Sequence, residues 1–296
     1  LGSYLSRLFP IFLALSILRL LLIIFLLSFV NCSSPQAKSE ELDEILKDFN
    51  VTTTEIKNLE QKVPNDSLRL AVLSKLSLDF LNKDSTLFRL INSKTLALSS
   101  ELKNKKIEAY AYWDLAYLYE RESFLDSSYA FYYNAYKNFL SLEDSYHAGK
   151  MMLNMAISQE KARDYVGSEN SSFKALKLIP SNKEKDVYAI YNNLAVIYNG
   201  LDDFDNAIES HKRAIAIASS IQDQVLLATS FNNIAVAYIE NGFYAEALEY
   251  IVKALKIQDL KNSNTRLYAM VLDNYSYTQF KPVSYTHLRA HETRHD

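Results

Sequence analysis

The chain has 296 residues, 49% of them apolar, with only five Gly, five Pro and one Cys, and its net charge is −3. A single Cys excludes an intramolecular disulfide and a Cys-based metal site, and so little Gly and Pro favours helices over a turn-rich β fold. Between residues 31 and 282 the balance is 28 Lys+Arg against 33 Asp+Glu, which offers no clustered basic face for nucleic acid.

The chain begins with Leu1, and Arg19 precedes LLLIIFLLSFV, a charge-free apolar run at residues 20–30. That run is too short to span a bilayer core and has the right length for the apolar part of an export signal. Counting back to Leu8 gives 23 residues, but Arg19 interrupts them at a cost of about 2.5–3.5 kcal/mol near a helix centre. Residues 1–31 are therefore expected to form a signal or anchor segment with a hydrophobic helix. Cys32 comes next, with SSPQAKS after it. This resembles a bacterial lipoprotein signal, in which the Cys becomes the lipidated first residue. Phe29, Val30 and Asn31 are a loose version of that motif. The resemblance implies a lipid on Cys32 and a place in the bacterial cell envelope.

Residues 32–65 read as a linker with two short amphipathic helices, EELDEILKDF and TEIKNLEQK. Asn50 and Pro64-Asn65-Asp66 punctuate them. They are expected to cap a repeat array beginning at residue 66, because the ends of such arrays are atypical.

From residue 66 the chain repeats. Tyr188–Ile217 and Ala228–Ile257 match at a shift of 40 residues. Tyr191 falls on Phe231, Asn193 on Asn233, Leu194 on Ile234, Ala195 on Ala235 and Tyr198 on Tyr238. Ala207 falls on Ala247 and Ala214 on Ala254. Anchors at Leu76, Leu115, Met155, Leu194, Ile234 and Tyr275 are 39, 40, 39, 40 and 41 residues apart. The first copy, around Leu76, is expected to have an inter-helix turn one residue short. Each unit predicts a helical hairpin. Its first helix carries large–x–x–large–small–x–x–aromatic, and its second carries Ala where the axes approach to about 8 Å. A lone hairpin cannot bury both faces, so the copies must stack. Gly200 and Gly242 fall near turns, where helix C-caps would stand.

These units resemble tetratricopeptide repeats of the longer, roughly 40-residue variety. Tyr191/Phe231, Leu194/Ile234, Ala195/Ala235, Tyr198/Tyr238, Ala207/Ala247, Ala214/Ala254 and Pro180 carry the likeness, over residues 66–281. It implies an all-α fold: a right-handed α-solenoid of antiparallel helix pairs, with five repeats and a further first helix. It also implies that first helices line a concave groove, faced by the residue before each anchor. Those residues are Asp114, Asn154, Asn193, Asn233 and Asn274. An Asn side chain offers an acceptor and donors, so such a ladder can hold an extended peptide main chain; it can equally bond neighbouring helices within the stack. Tyr110, Trp113, Tyr117 and Lys150 share the face. Tyr-rich patches serve as binding hot spots or as inter-repeat packing. The family's clamp for chaperone carboxylates needs several cations, and only Lys150 qualifies, so that partner class is excluded.

Residues 291–295 read HETRH, an H-E-x-x-H string. It stands one residue from the end with no apolar pattern to build a zinc site around it. VSYTHLRAHET, residues 283–293, also resembles a translated transposase sequencing adapter. Residues 282–296 are therefore expected to be a non-native tail, and the repeat anchored at Tyr275 to stop near Lys281 in a truncated chain. No nucleophile–base pair, phosphate loop or ligand cluster stands in residues 33–282, and His147 and His211 are isolated. The expectation is a non-enzymatic protein without cofactor or metal. Its partner is a protein or peptide, and it meets a membrane through its N-terminal segment or lipid. The alternative is the input region of a truncated sensor histidine kinase or membrane-bound transcription regulator.

Overall fold

The structure is a computed structural model that describes residues 42, 45–46, 51–257 and 259–292, with side chains to residue 280. The apolar run, Cys32 and most of the first expected short helix lie outside the described residues. Fourteen helices and no strand are found among the described residues. Two short ones, α1 (Thr53–Lys57) and α2 (Leu59–Lys62), precede five hairpins. The hairpins are α3 (Asp66–Phe80) with α4 (Ser85–Glu101), α5 (Lys105–Arg121) with α6 (Leu125–Ser141), and α7 (Ser145–Lys161) with α8 (Tyr165–Leu178). Then come α9 (Glu184–Gly200) with α10 (Phe204–Ser220), and α11 (Gln224–Glu240) with α12 (Tyr244–Leu255). The short α13 (Leu260–Ser263) and the long α14 (Thr265–Glu292) complete the order.

The 40-residue period is two 17-residue helices and two three-residue turns, as in α5, α6 and the turns at 122–124 and 142–144. The spacing of 39 from Met155 to Leu194 arises because α8 has only 14 residues and five residues lead to α9. In the first copy the missing residue comes out of the helix and not the turn. The helix α3 stops at Phe80, and four residues, 81–84, join it to α4.

The three-residue turns all close in one way. A residue with positive φ ends the helix, at Lys103, Ser123, Glu143, Arg163, Asp202, Gln222 and Gly242. The next N–H reaches back five residues, as from Phe124 to Tyr119 O and from Asp203 to Tyr198 O, each at 2.9 Å. That six-to-one bond satisfies an orphan carbonyl at the helix end. The same residue then starts the next helix. The side chains of Asn104, Asp144, Asp164, Asp203 and Asp223 each accept from the N–H three residues on, filling an orphan donor. Gly242 holds the left-handed position with φ 79°. Gly200 does not: it is the last helical residue of α9, and Asp202 takes the positive φ. A Cβ on Gly200 would lie 2.4 Å from the Tyr165 ring. Its bare backbone therefore serves close packing, not a turn.

The small positions are buried throughout. Ala116, Ala156, Ala195 and Ala235 on first helices, and Ala135, Ala175, Ala214 and Ala254 on second helices, are all 0% exposed. Ile56, Leu59 and Val63, at α1 and α2, pack on the core of the first hairpin. First helices touch one another, α3 with α5, α7 with α9 and α11 with α14, and no two successive second helices are in comparable contact. At those three joints the first helices stand closer together than the second helices do.

The C-terminal end differs from the earlier repeats. Leu194 and Ile234 are buried, but Tyr275 at the same register is 36% exposed, because no second helix follows α14 among the described residues to cover it. The helix α14 is continuous through Pro282 to Glu292. A proline inside a helix removes one main-chain bond, at a cost of about 3 kcal/mol, without forbidding the helix.

Candidate functional site

The five register residues stand on α5, α7, α9, α11 and α14, but the hairpin before each one offers it different company. Asn233 donates from Nδ2 to Asn192 Oδ1 at 2.9 Å, and Asn274 donates in the same way to Asn232 Oδ1 at 2.9 Å. This is a ladder internal to the stack, running from one first helix to the last. It stops at Asn193, because the residue that matches Asn192 one repeat earlier is Leu153. Asn193 turns instead to the preceding second helix, where Nδ2 meets Ser172 Oγ at 3.1 Å and Ser168 Oγ at 3.4 Å. At the matching positions of α10 stand Ala207 and His211, so Asn233 has no such hydroxyls to use. Asn192 and Asn232 were missed from sequence as partners. The Asn-Asn doublets at 192–193 and 232–233 were the available signal.

Asn154 and Asp114 differ from these three. Both are half-buried, and neither side chain has a hydrogen bond or ion pair among the described residues. Asp114 opens on a cavity of about 220 Å³ between α3 and α5, lined with Ser74, Ser77, Leu78, Thr95, Tyr110 and Ala111. Burial alone pushes its carboxyl up to about 7, since no opposite charge offsets the lost hydration.

Tyr110, Trp113 and Lys150 come together beside this cavity. Tyr110 and Trp113 stack with centroids 6.0 Å apart. Both stand edge-on to Phe139, at 5.3 and 6.3 Å, and to His147, at 5.7 and 6.1 Å. His147 Nδ1 lies 2.7 Å from Asp144 Oδ2. With its proton given there, Nε2 is left to accept from the Tyr110 hydroxyl at 3.3 Å. Burial, and then the charge of Asp144, raises the pKa of that hydroxyl. Lys150 Nζ lies 5.4 Å over Trp113 and 5.7 Å over Tyr146, and 3.8 Å from Asp186. Tyr146 donates to Asp186 at 2.8 Å. These faces and charges are engaged with one another, so the cluster joins the second and third hairpins and reaches the fourth through Asp186. Tyr117 stands apart from it, 41% exposed, with the Arg121 guanidinium 5.7 Å over its ring. The joint was not legible in sequence, because Phe139 and His147 meet it from a second helix and across a turn.

Among the described residues no group of three or more His, Cys, Asp or Glu could hold a metal ion, and no helix is long and apolar enough to cross a membrane. His295 lies outside the described residues, so the H-E-x-x-H string is only partly within them.

Residues 186–259 match the tetratricopeptide repeat family model. Among curated proteins no sequence matches the chain. Solved structures resemble it over most of its length. BtubC from P. vanneervenii is 23% identical with a TM-score of 0.59, covering 76% of this chain and 92% of its own. RapI in its apo form is 17% identical with a TM-score of 0.57, covering 84% and 72%. A Rap protein complexed with competence and sporulation factor is 14% identical with a TM-score of 0.56, covering 88% and 70%. At these identities the likeness is one of fold. With the matched repeats, the 40-residue hairpins and the stacked alanines together, residues 186–259 match tetratricopeptide repeats and the described array has a tetratricopeptide-like helical repeat fold.

Proposed function

We propose that the chain is an interaction scaffold that holds an extended segment of a protein partner along its inner face, over the first three hairpins. The observation that carries this is the uneven commitment of the register residues. The amide groups of Asn193, Asn233 and Asn274 are spent within the stack, whereas Asp114 and Asn154 have no partner among the described residues. Both side chains are partly open to solvent with their hydrogen-bonding capacity unspent, and a peptide main chain supplies donors and acceptors for them. Tyr117, exposed one helical turn beyond Asp114 on the same face, adds the aromatic area that anchors such segments. The fold likeness to a Rap protein in complex with competence and sporulation factor supports the reading in kind.

Peptides selected from a random 12-residue display library serve as the probe. Asn154→Ala and Tyr117→Ala are expected to weaken the selected peptides about tenfold each, a loss of about 1.4 kcal/mol, with melting unchanged. Asn193→Ala is expected to do the reverse. It leaves affinity alone and costs roughly 1–2 kcal/mol of stability, because it orphans buried hydroxyl partners. Urea melts and titration calorimetry on the three variants check both. Equal binding by Asn154→Ala and Tyr117→Ala would remove the N-terminal half of the groove from the reading.

We further place the array at the bacterial cell envelope, exported and lipid-anchored. The support is the apolar run at residues 20–30 and Cys32 just beyond it. Membrane fractionation of Cys32→Ser tests this: release from membranes is expected, and unchanged association rules out the lipid as sole attachment. The same leader ahead of a repeat array also fits the input region of a sensor kinase or membrane-bound regulator. Downstream sequence of the intact gene decides that reading, by the presence or absence of a kinase or DNA-binding domain.

A further inference from the structure

We infer that the cavity at Asp114 is a subsite for a basic side chain, a lysine or arginine carried by the partner segment. The inference rests on the groove reading above and names the chemistry of one position in it. Asp114 presents a carboxylate to a concave space on the inner face, and among the described residues nothing donates to it.

The chain's own cations nearby are occupied elsewhere. Lys150 leans on Trp113 and Asp186, and Arg121 on the Tyr117 ring and on Asn82 Oδ1 at 2.6 Å. Among the described residues no cation acts on the Asp114 carboxyl. A cationic partner from outside would hold it as a carboxylate where burial alone favours the protonated form.

Shape and lining fit a long cationic side chain better than a small ion. The cavity of about 220 Å³ is several times the ~30 Å³ share of one water, so an alkyl stem and its head fit within it. Leu78, 56% exposed, and Tyr110 stand at its wall and would cover an aliphatic stem. Ser74 and Ser77 line the same wall, and Ser77 already accepts from the buried Asn92. A carboxylate of this kind gains most from a partner that is both charged and a donor. A neutral donor would satisfy a hydrogen bond of Asp114 without its charge, and an anionic side chain would repel it.

The test is selection of the random 12-residue library on the whole chain and on Asp114→Asn, which keeps shape and removes charge. The expected result is enrichment of lysine or arginine at one position on the wild type, lost on Asp114→Asn. A selected peptide remade with norleucine for that lysine, or citrulline for that arginine, should bind the wild type about tenfold or more weakly. The same remade peptide should bind Asp114→Asn no worse than its parent does. Circular dichroism on both proteins confirms equal helicity. Selection of peptides with no basic preference, or a preference that survives in Asp114→Asn, overturns the subsite and leaves the groove reading standing. Failure to select any peptide overturns both.

Discussion

Asp114→Asn is expected to stabilise the folded array at pH 8 by as much as about 4 kcal/mol and to leave it unchanged below pH 4. The carboxyl titrates near 3.8 when the chain is unfolded and near 7 when it is folded, because burial strips its water without supplying a partner. The folded state therefore holds a proton that the unfolded state has released across that window. Stability from this group is complete below the unfolded pKa and is lost as pH rises through the folded one. The position has a clear logic in a binding protein: a residue that destabilises the free scaffold is relieved when a partner arrives. Denaturant melts of the two proteins at pH 4, 6 and 8 read the effect directly. A variant less stable than the wild type at pH 8 would mean that Asp114 has a partner in the folded chain.

His211 is expected to act in the opposite direction. Its ring is 1% exposed, neither nitrogen has a hydrogen-bond partner, and burial lowers its pKa from 6.5 to about 4. The unfolded chain takes up a proton below 6.5 that the folded chain refuses until about 4. Stability is therefore present above pH 6.5 and falls by roughly 3 kcal/mol as pH drops through that window. Ile251 stands at the matching position of the next second helix, fully buried. His211→Ile should thus fit, remove this acid lability and add about 1–3 kcal/mol at pH 7 by deleting unsatisfied polar atoms. Melts at pH 4.5 and 7 on wild type and His211→Ile measure it. Equal pH dependence in both proteins would assign the acid sensitivity elsewhere.

The scaffold was legible because it is written in side-chain volume. Alanines at 116, 156, 195 and 235 mark close approach whatever else surrounds them, and the structure buries all four completely. The register of Asp114 and the four Asn was legible for the same reason. What each one touches was not, since that depends on the previous hairpin. Asn193 bonds Ser168 and Ser172, whereas Asn233 bonds Asn192, because Leu153 and Asn192 differ at one position and Ser172 and His211 at another. Gly200 shows a similar limit. A glycine near a turn suggests a cap, but Asp202 tolerates the positive φ and Gly200 makes room for Tyr165. The uncommitted state of Asp114 emerges only when every neighbour's partner is known.

Photo-cross-linking reads the placement of the partner segment most directly. A library-selected peptide carrying a photoreactive residue would be irradiated on the whole chain and the adducts mapped by mass spectrometry. Adducts on Leu78 and Tyr110, which line the Asp114 cavity, and on the exposed Tyr117 are the expected result. Adducts confined to second-helix residues such as Tyr133 and Phe173, each 44% exposed, would contradict it.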